Sequence, residues 1–196
     1  RQMLSSLSFL HSQGIIHADL KPENVMLQSY SKCIVKIIDL GSARFTHEQP
    51  CQYLQSRSYR APEVILRCDY DEKIDIWSLG CVLAELYTGS VLFPNESNAT
   101  LLAQIVSTIG PLPSQLVKRG EQRELLLSRS SLIYEENLET GKYEVFIPKK
   151  GWEGSFRERF GSDTEFAEFL LQLLAPEPRW RASAAEALNH PWLNQN

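Results

Sequence analysis

The sequence predicts a mainly α chain with a few short β-strands, and three observations carry that expectation. Met3, Leu4, Leu7 and Leu10 recur at helical spacing as far as Gly14, a natural stop. Asp75 to Tyr87 is apolar almost throughout and is followed by Gly89, the pattern of a helix buried on all sides. The strand-like runs are short: Ile15-Ile16, Val25-Met26-Leu27 and the β-branched Ile34-Val35-Lys36-Ile37-Ile38 bracket a polar segment.

The remaining elements follow in order. Asp39 to Glu63 is polar, rich in serine and arginine, and without sustained period, so it reads as a long loop, the kind that tends to carry function. Asp75 is expected to cap its own helix. Ser97 or Asn98 caps a helix bearing Leu101, Leu102, Ile105, Val106 and Ile109, stopped at Gly110. Pro111 to Gly161 reads as an irregular insertion with short helices and a hairpin near Thr140-Gly141. Ser162-x-x-Glu165 and Ser183-x-x-Glu186 are capping-box patterns, each ahead of a helical repeat.

At 196 residues and 43% hydrophobic, the chain suits one domain, or a large lobe of one, with a real core. A net charge of −4 argues against a nucleic-acid surface driven by overall charge. Cys33, Cys51, Cys68 and Cys81 lack metal-site spacing and fit a reducing compartment. No apolar run approaches membrane-spanning length. The chain starts at Arg1, already inside a helix, and so reads as a piece of something longer.

Five features, in this order, carry the chemistry: His17-Ala18-Asp19-Leu20-Lys21-Pro22-Glu23-Asn24, Asp39-Leu40-Gly41, Ala61-Pro62-Glu63, Asp75-x-Trp77-Ser78-x-Gly80, and Arg181. Their order and spacing resemble the protein kinase family, with its H-R-D-L-K-x-x-N, D-F-G and A-P-E motifs. The resemblance implies that Asp19 accepts or orients the proton of the attacking hydroxyl. Lys21 then neutralises the transferring phosphoryl group, and Asn24 and Asp39 bind magnesium. ATP and Mg2+ are the implied cofactors, contacted by Lys21, Glu23, Asn24 and Asp39. His17, Asp75, Glu63 and Arg181 are implied supports, the last two as a pair.

The stretch Tyr53-Leu54-Gln55-Ser56-Arg57-Ser58-Tyr59-Arg60-Ala61-Pro62-Glu63 is similar to the CMGC group, especially its DYRK and HIPK branches. Ala18, where many kinases carry arginine, agrees with that placement. Tyr134-Glu135-Glu136-Asn137 and Phe146-Ile147-Pro148-Lys149 look like the DYRK-like kinases of plants and protists. Cys51 departs from the pattern, standing where the first tyrosine of the DYRK Y-x-Y pair would be. The resemblance implies self-phosphorylation at Tyr53, with Arg57 and Arg60 receiving the phosphate. It further implies protein substrates bearing serine or threonine, followed by proline in many CMGC kinases. A monomer without nucleic-acid or membrane partners is expected, intracellular, in cytoplasm or nucleus.

The implied fold is the C-terminal lobe of the two-lobed kinase over 1–196, with a catalytic loop at 17–24, an activation segment at 39–63 and an insertion at about 111–161. No G-x-G-x-x-G strand pair and no V-A-x-K lysine occurs in the sequence, so the N-terminal lobe is expected to be absent and the isolated lobe inactive. The alternative is a catalytically dead lobe that serves as a binding module.

Overall fold

The computed structural model describes residues 1–48, 51, 54–127, 132–137, 140–147, 156, 159–160 and 163–194. Helix α1 (Gln2–Ser12) buries Met3, Leu4 and Leu7 on one face. It gives way at Gly14, whose φ of 69° lies in the left-handed region that costs glycine nothing. Strand β1 (Ile15–Ile16) pairs antiparallel with β4 (Arg44–Phe45), and β2 (Val25–Ser29) with β3 (Ile34–Ile37). The three expected strands are present. Strand β4 is new, set within the segment read as loop; two residues leave no alternation to detect.

After a 3-10 turn at Arg57–Tyr59 comes the short α2 (Pro62–Ile65), with proline at its first position. Helix α3 (Lys73–Thr88) is the core of the fold: every residue from Ile74 to Val82 is buried, and it ends at left-handed Gly89. A Cβ on Gly80 would lie 2.8 Å from Leu174 Cδ2, so glycine lets α3 approach the end of α7 (Thr164–Leu173) closely.

Asp75 does not cap α3; the N-cap is Glu72, with no side-chain bond to the helix. The Asp75 carboxylate has no exposed surface and turns instead to three donors outside its own helix, more than a cap would offer it.

Helix α4 (Asn98–Ile109) opens on a capping box between Ser97 and Thr100 and stops at Gly110. The expected insertion contains α5 (Ser114–Arg119), α6 (Arg123–Leu126) and an antiparallel hairpin, β5 (Ile133–Asn137) with β6 (Lys142–Phe146). Helix α7 is capped one residue later than the Ser162 pattern suggests: Phe166 N donates to Asp163 Oδ1 at 2.9 Å. A carboxylate is as good an N-cap acceptor as a hydroxyl; Ser162 lies outside the described residues. The Ser183–Glu186 box is formed and opens α8 (Ala184–Ala187). Among the described residues, no helix is long and apolar enough to cross a membrane.

Candidate active site

The site is built on α3 and read outward. Asp75 Oδ1 accepts from Ala18 N at 2.9 Å, and Oδ2 accepts from His17 N at 2.8 Å. His11 of α1 closes the set, its Nε2 lying 3.0 Å from Oδ2. The loop after β1 is thus clamped by its backbone to the most buried helix. Ala18 itself sits at φ 65°, an uncommon region for a residue with a Cβ. Asp39 (φ 65°) and Gln55 (φ 62°) share that conformation, so backbone strain gathers around one patch.

His17 is fully buried and structural. Asp19 N donates to its Nδ1 at 3.3 Å, which leaves the proton on Nε2, 3.0 Å from the carbonyl of Ile38. The ring therefore ties the 17–24 loop to the end of β3.

Asp19 is held at both oxygens. Ser56 donates to Oδ1 twice, from N at 3.0 Å and from Oγ at 2.7 Å. Lys21 Nζ donates to Oδ2 at 2.8 Å and to Ser56 Oγ at 3.1 Å. Partial burial pushes the Asp19 carboxyl up, but the bonds from Lys21 and Ser56 outweigh it and hold it below the ordinary carboxylate value. The bond to Asp19 in turn raises Lys21, with Glu23 and Asp39 adding to the field. The lysine stays charged and the aspartate stays ionised.

Asn24 and Asp39 meet through the β2–β3 hairpin. Val25 pairs with Ile37, and Ile38 N donates to Asn24 O at 2.9 Å, which brings Asp39 to the hairpin base beside Asn24. Asn24 Nδ2 donates to Asp19 O at 2.8 Å, so its amide oxygen is the atom that could ligate a cation. Asp39 Oδ1 accepts from Gly41 N at 3.0 Å, leaving a second oxygen on an exposed carboxylate. Two hard oxygen donors on adjacent backbone suit magnesium. Glu23 is exposed in the 3-10 turn Pro22–Asn24, one residue before Asn24.

The far wall is the 54–60 turn, which with Asp19 and Ser42 lines a hollow of about 370 Å³. Gln55 is its hub. Its Nε2 bonds Ser78 Oγ (2.8 Å), Ile74 O (3.0 Å) and Tyr59 O (3.3 Å), and its Oε1 accepts from Ala61 N (3.0 Å). Arg60 is buried, with Nε donating to Leu54 O and Nη2 to Gln55 O, both at 2.9 Å, and Nη1 to Asn98 Oδ1 at 3.0 Å. Arg57 donates to the carbonyl of Glu96. The two arginines therefore brace backbone here, and Tyr53 lies outside the described residues.

Glu63 and Arg181 form a fully buried pair: Nη1 to Oε1 at 2.6 Å and Nη2 to Oε2 at 2.9 Å. Arg181 also donates to Lys73 O and Ala175 O and lies over the Trp77 ring, 5.1 Å from its centroid. The pair fastens α2, and with it the end of the 39–63 segment, to α3. Reading the sequence assigns no role to Ser56, Gln55 or His11, which carry much of the geometry. Their partners lie 37, 23 and 64 residues away, and no local period marks such contacts.

A family model described as protein kinase domain matches residues 1–193. A probable serine/threonine-protein kinase dyrk2 of Dictyostelium discoideum is 41% identical over 193 residues, which cover 98% of this chain and 21% of that protein. The dual specificity tyrosine-phosphorylation-regulated kinase 3 of Mus musculus is 37% identical, over 100% of this chain and 36% of its own length. Kinase 4 of the same name in Homo sapiens is also 37% identical, over 99% of this chain and 36% of its own. The chain thus spans about a fifth to a third of the curated relatives it matches. With the 17–24 loop, the Asp39 hairpin and the Glu63–Arg181 pair all in family order, the chain belongs to the protein kinase family, in its DYRK-like part.

Proposed function

We propose that the chain is the C-terminal lobe of a kinase that transfers the γ-phosphate of ATP to serine or threonine hydroxyls of proteins inside the cell. The observation that carries this reading is the gathering of Asp19, Lys21, Asn24 and Asp39 around one exposed patch. Asp19 is the proton acceptor: an ionised carboxylate has about four lone-pair sites, and Ser56 and Lys21 engage three of them. The remaining one faces the substrate hydroxyl. Lys21 offsets charge on the group in transfer. Asn24 and Asp39 would hold magnesium, which when bound would offset charge on the nucleotide phosphates. Glu23 and Lys21 complete the nucleotide-side contacts.

The lobe assignment is supported by an apolar surface next to Asp39. Phe9 and Leu40 are 66% and 56% exposed, and with Leu10 and Ile37 they line a hollow of about 410 Å³. A second lobe would cover that surface and bring the glycine-rich strands and lysine that the 196 residues lack. Alone, the chain is expected to turn over at a small fraction of the full-length rate, since losing one preorganised charge contact costs about 10²–10³ in kcat.

A preference for proline after the acceptor residue has a physical basis in the 54–60 turn. Gln55 N donates to Ala18 O at 3.1 Å, and Gln55 O accepts from Arg60. This carbonyl is committed to Arg60 rather than to a passing substrate backbone, and proline is the one residue with no N–H to leave unpaired. An unpaired N–H costs about 1–3 kcal/mol, so kcat/KM of the full-length protein is expected to be about tenfold or more higher for a serine–proline peptide than for its serine–alanine twin. Equal values would remove the turn from that role.

Tyr53 is proposed as a self-phosphorylation site, with Arg57 and Arg60 as phosphate receivers. The support is position: Arg60 bonds the carbonyls of Leu54 and Gln55, immediately after Tyr53. Mass spectrometry of the full-length protein made in bacteria is expected to find phosphotyrosine at Tyr53. An active enzyme with Tyr53 unmodified throughout would defeat it.

A further inference from the structure

The β5–β6 hairpin stands apart from the catalytic patch, and its geometry is that of an unfinished sheet. Five consecutive residue pairs join the strands without a bulge. The other side of β5 already meets Leu127 through a bridge at Ile133. Among the described residues, no strand pairs with the outer edge of β6. One face of the hairpin is anchored: Ile133 is 2% exposed, Phe146 packs on the core, and Glu135 accepts from Ser97 Oγ at 2.6 Å. The opposite face carries Tyr143, Val145 and, just past the strand, Ile147, which are 63%, 49% and 82% exposed.

Natural sheets blunt such edges with lysines, prolines or bulges. Lys142–Phe146 has no proline and no bulge, and its one cation stands at the first position. Its centre instead carries Glu144, which the register sets directly opposite Glu135. Like charges facing each other across strands are unfavourable, and a cation alongside would relieve the pair.

We propose that the outer edge of β6 is a docking site for an extended peptide segment that carries lysine or arginine opposite Glu144. Added as a third strand, such a segment pairs its backbone with β6. Its cation meets Glu144 and Glu135 together, and its alternate apolar residues continue the Tyr143–Val145 stripe. A second copy of this chain fits the edge poorly: antiparallel self-pairing centred on Glu144 would line up four carboxylates in a row. The inference does not rest on the catalytic reading, since none of these residues touches the Asp19 patch.

The test is fluorescence anisotropy on the full chain, with a labelled short peptide of alternating valine and lysine and a matched valine–glutamate peptide. The lysine peptide is expected to bind saturably and about tenfold or more tighter than the glutamate one, a step of about 1.4 kcal/mol. Glu144→Lys is expected to reverse that order. This variant also replaces the like pair with an opposite one, so the hairpin persists. Equal binding of both peptides, no binding of either, or an unreversed order in Glu144→Lys overturns the proposal. A concentration-dependent dimer that neither peptide dissociates would assign the edge to a second copy and overturn it as well.

Discussion

Arg181→Leu is expected to lower folding stability by about 3–5 kcal/mol, because it leaves the Glu63 carboxylate charged and unpaired where water does not reach. Arg181 supplies two bonds to Glu63, one to Lys73 O and one to Ala175 O, and a stacked cation over Trp77. Chemical denaturation of the full chain reads the loss. The double variant Glu63→Leu with Arg181→Leu is expected to recover part of it, since apolar pairs of similar volume often stand in for a buried ion pair. A single-variant loss under about 1 kcal/mol would mean that water enters the site and that the pair is not the clamp on α2.

The second large effect is on turnover. In the full-length protein, Asp19→Asn is expected to lower kcat by about 10²–10⁴, the usual contribution of a positioned base. The fold should survive, because asparagine keeps an oxygen for Ser56 and the Asp75 clamp on His17 and Ala18 is untouched. Peptide phosphorylation read beside thermal unfolding separates the two; unchanged turnover would remove Asp19 from its role and favour a lobe that only binds. The acid side follows the same residue. Its folded pKa lies below the ordinary value, so the Lys21–Asp19 bond contributes stability above that ordinary value. The contribution is lost as pH falls through the depressed one.

How far the sequence reveals this site depends on how local each part is. Asp19, Lys21 and Asn24 lie within one short loop, and Asp39 follows a β-branched run, but each motif alone reads as a turn, and only the family order of five motifs marks them out. Family order adds Glu63 and Arg181, which are 118 residues apart and share no local pattern. Ser56 escapes because its work is done by a hydroxyl aimed at Asp19 across the fold, and serine in a polar segment signals nothing. Gln55 escapes for a similar reason: a left-handed glutamine buried by four side-chain bonds looks, in sequence, like a solvated one. Asp75 differs from the expected cap because a helix-start rule reads only the next turn. The actual donors come from α1 and the loop after β1. Strand β4 and the Asp163 cap differ by one or two residues, below the grain of any periodicity.

The β2–β3 hairpin that joins Asn24 to Asp39 carries one more consequence, for how the chain can change in length. Side chains alternate along strands, so a slip of one residue between Val25 and Ile37 would turn Asp39 to the opposite face and away from Asn24. The one irregularity in this ladder falls between Leu27 and Ser29, on the turn side of the Val25–Ile37 pair. The hairpin therefore has a rigid end and a tolerant end. Residues added or lost around the exposed Tyr30 turn are absorbed before they reach the base, whereas a single deletion within Val25–Leu27 would separate the two oxygen donors.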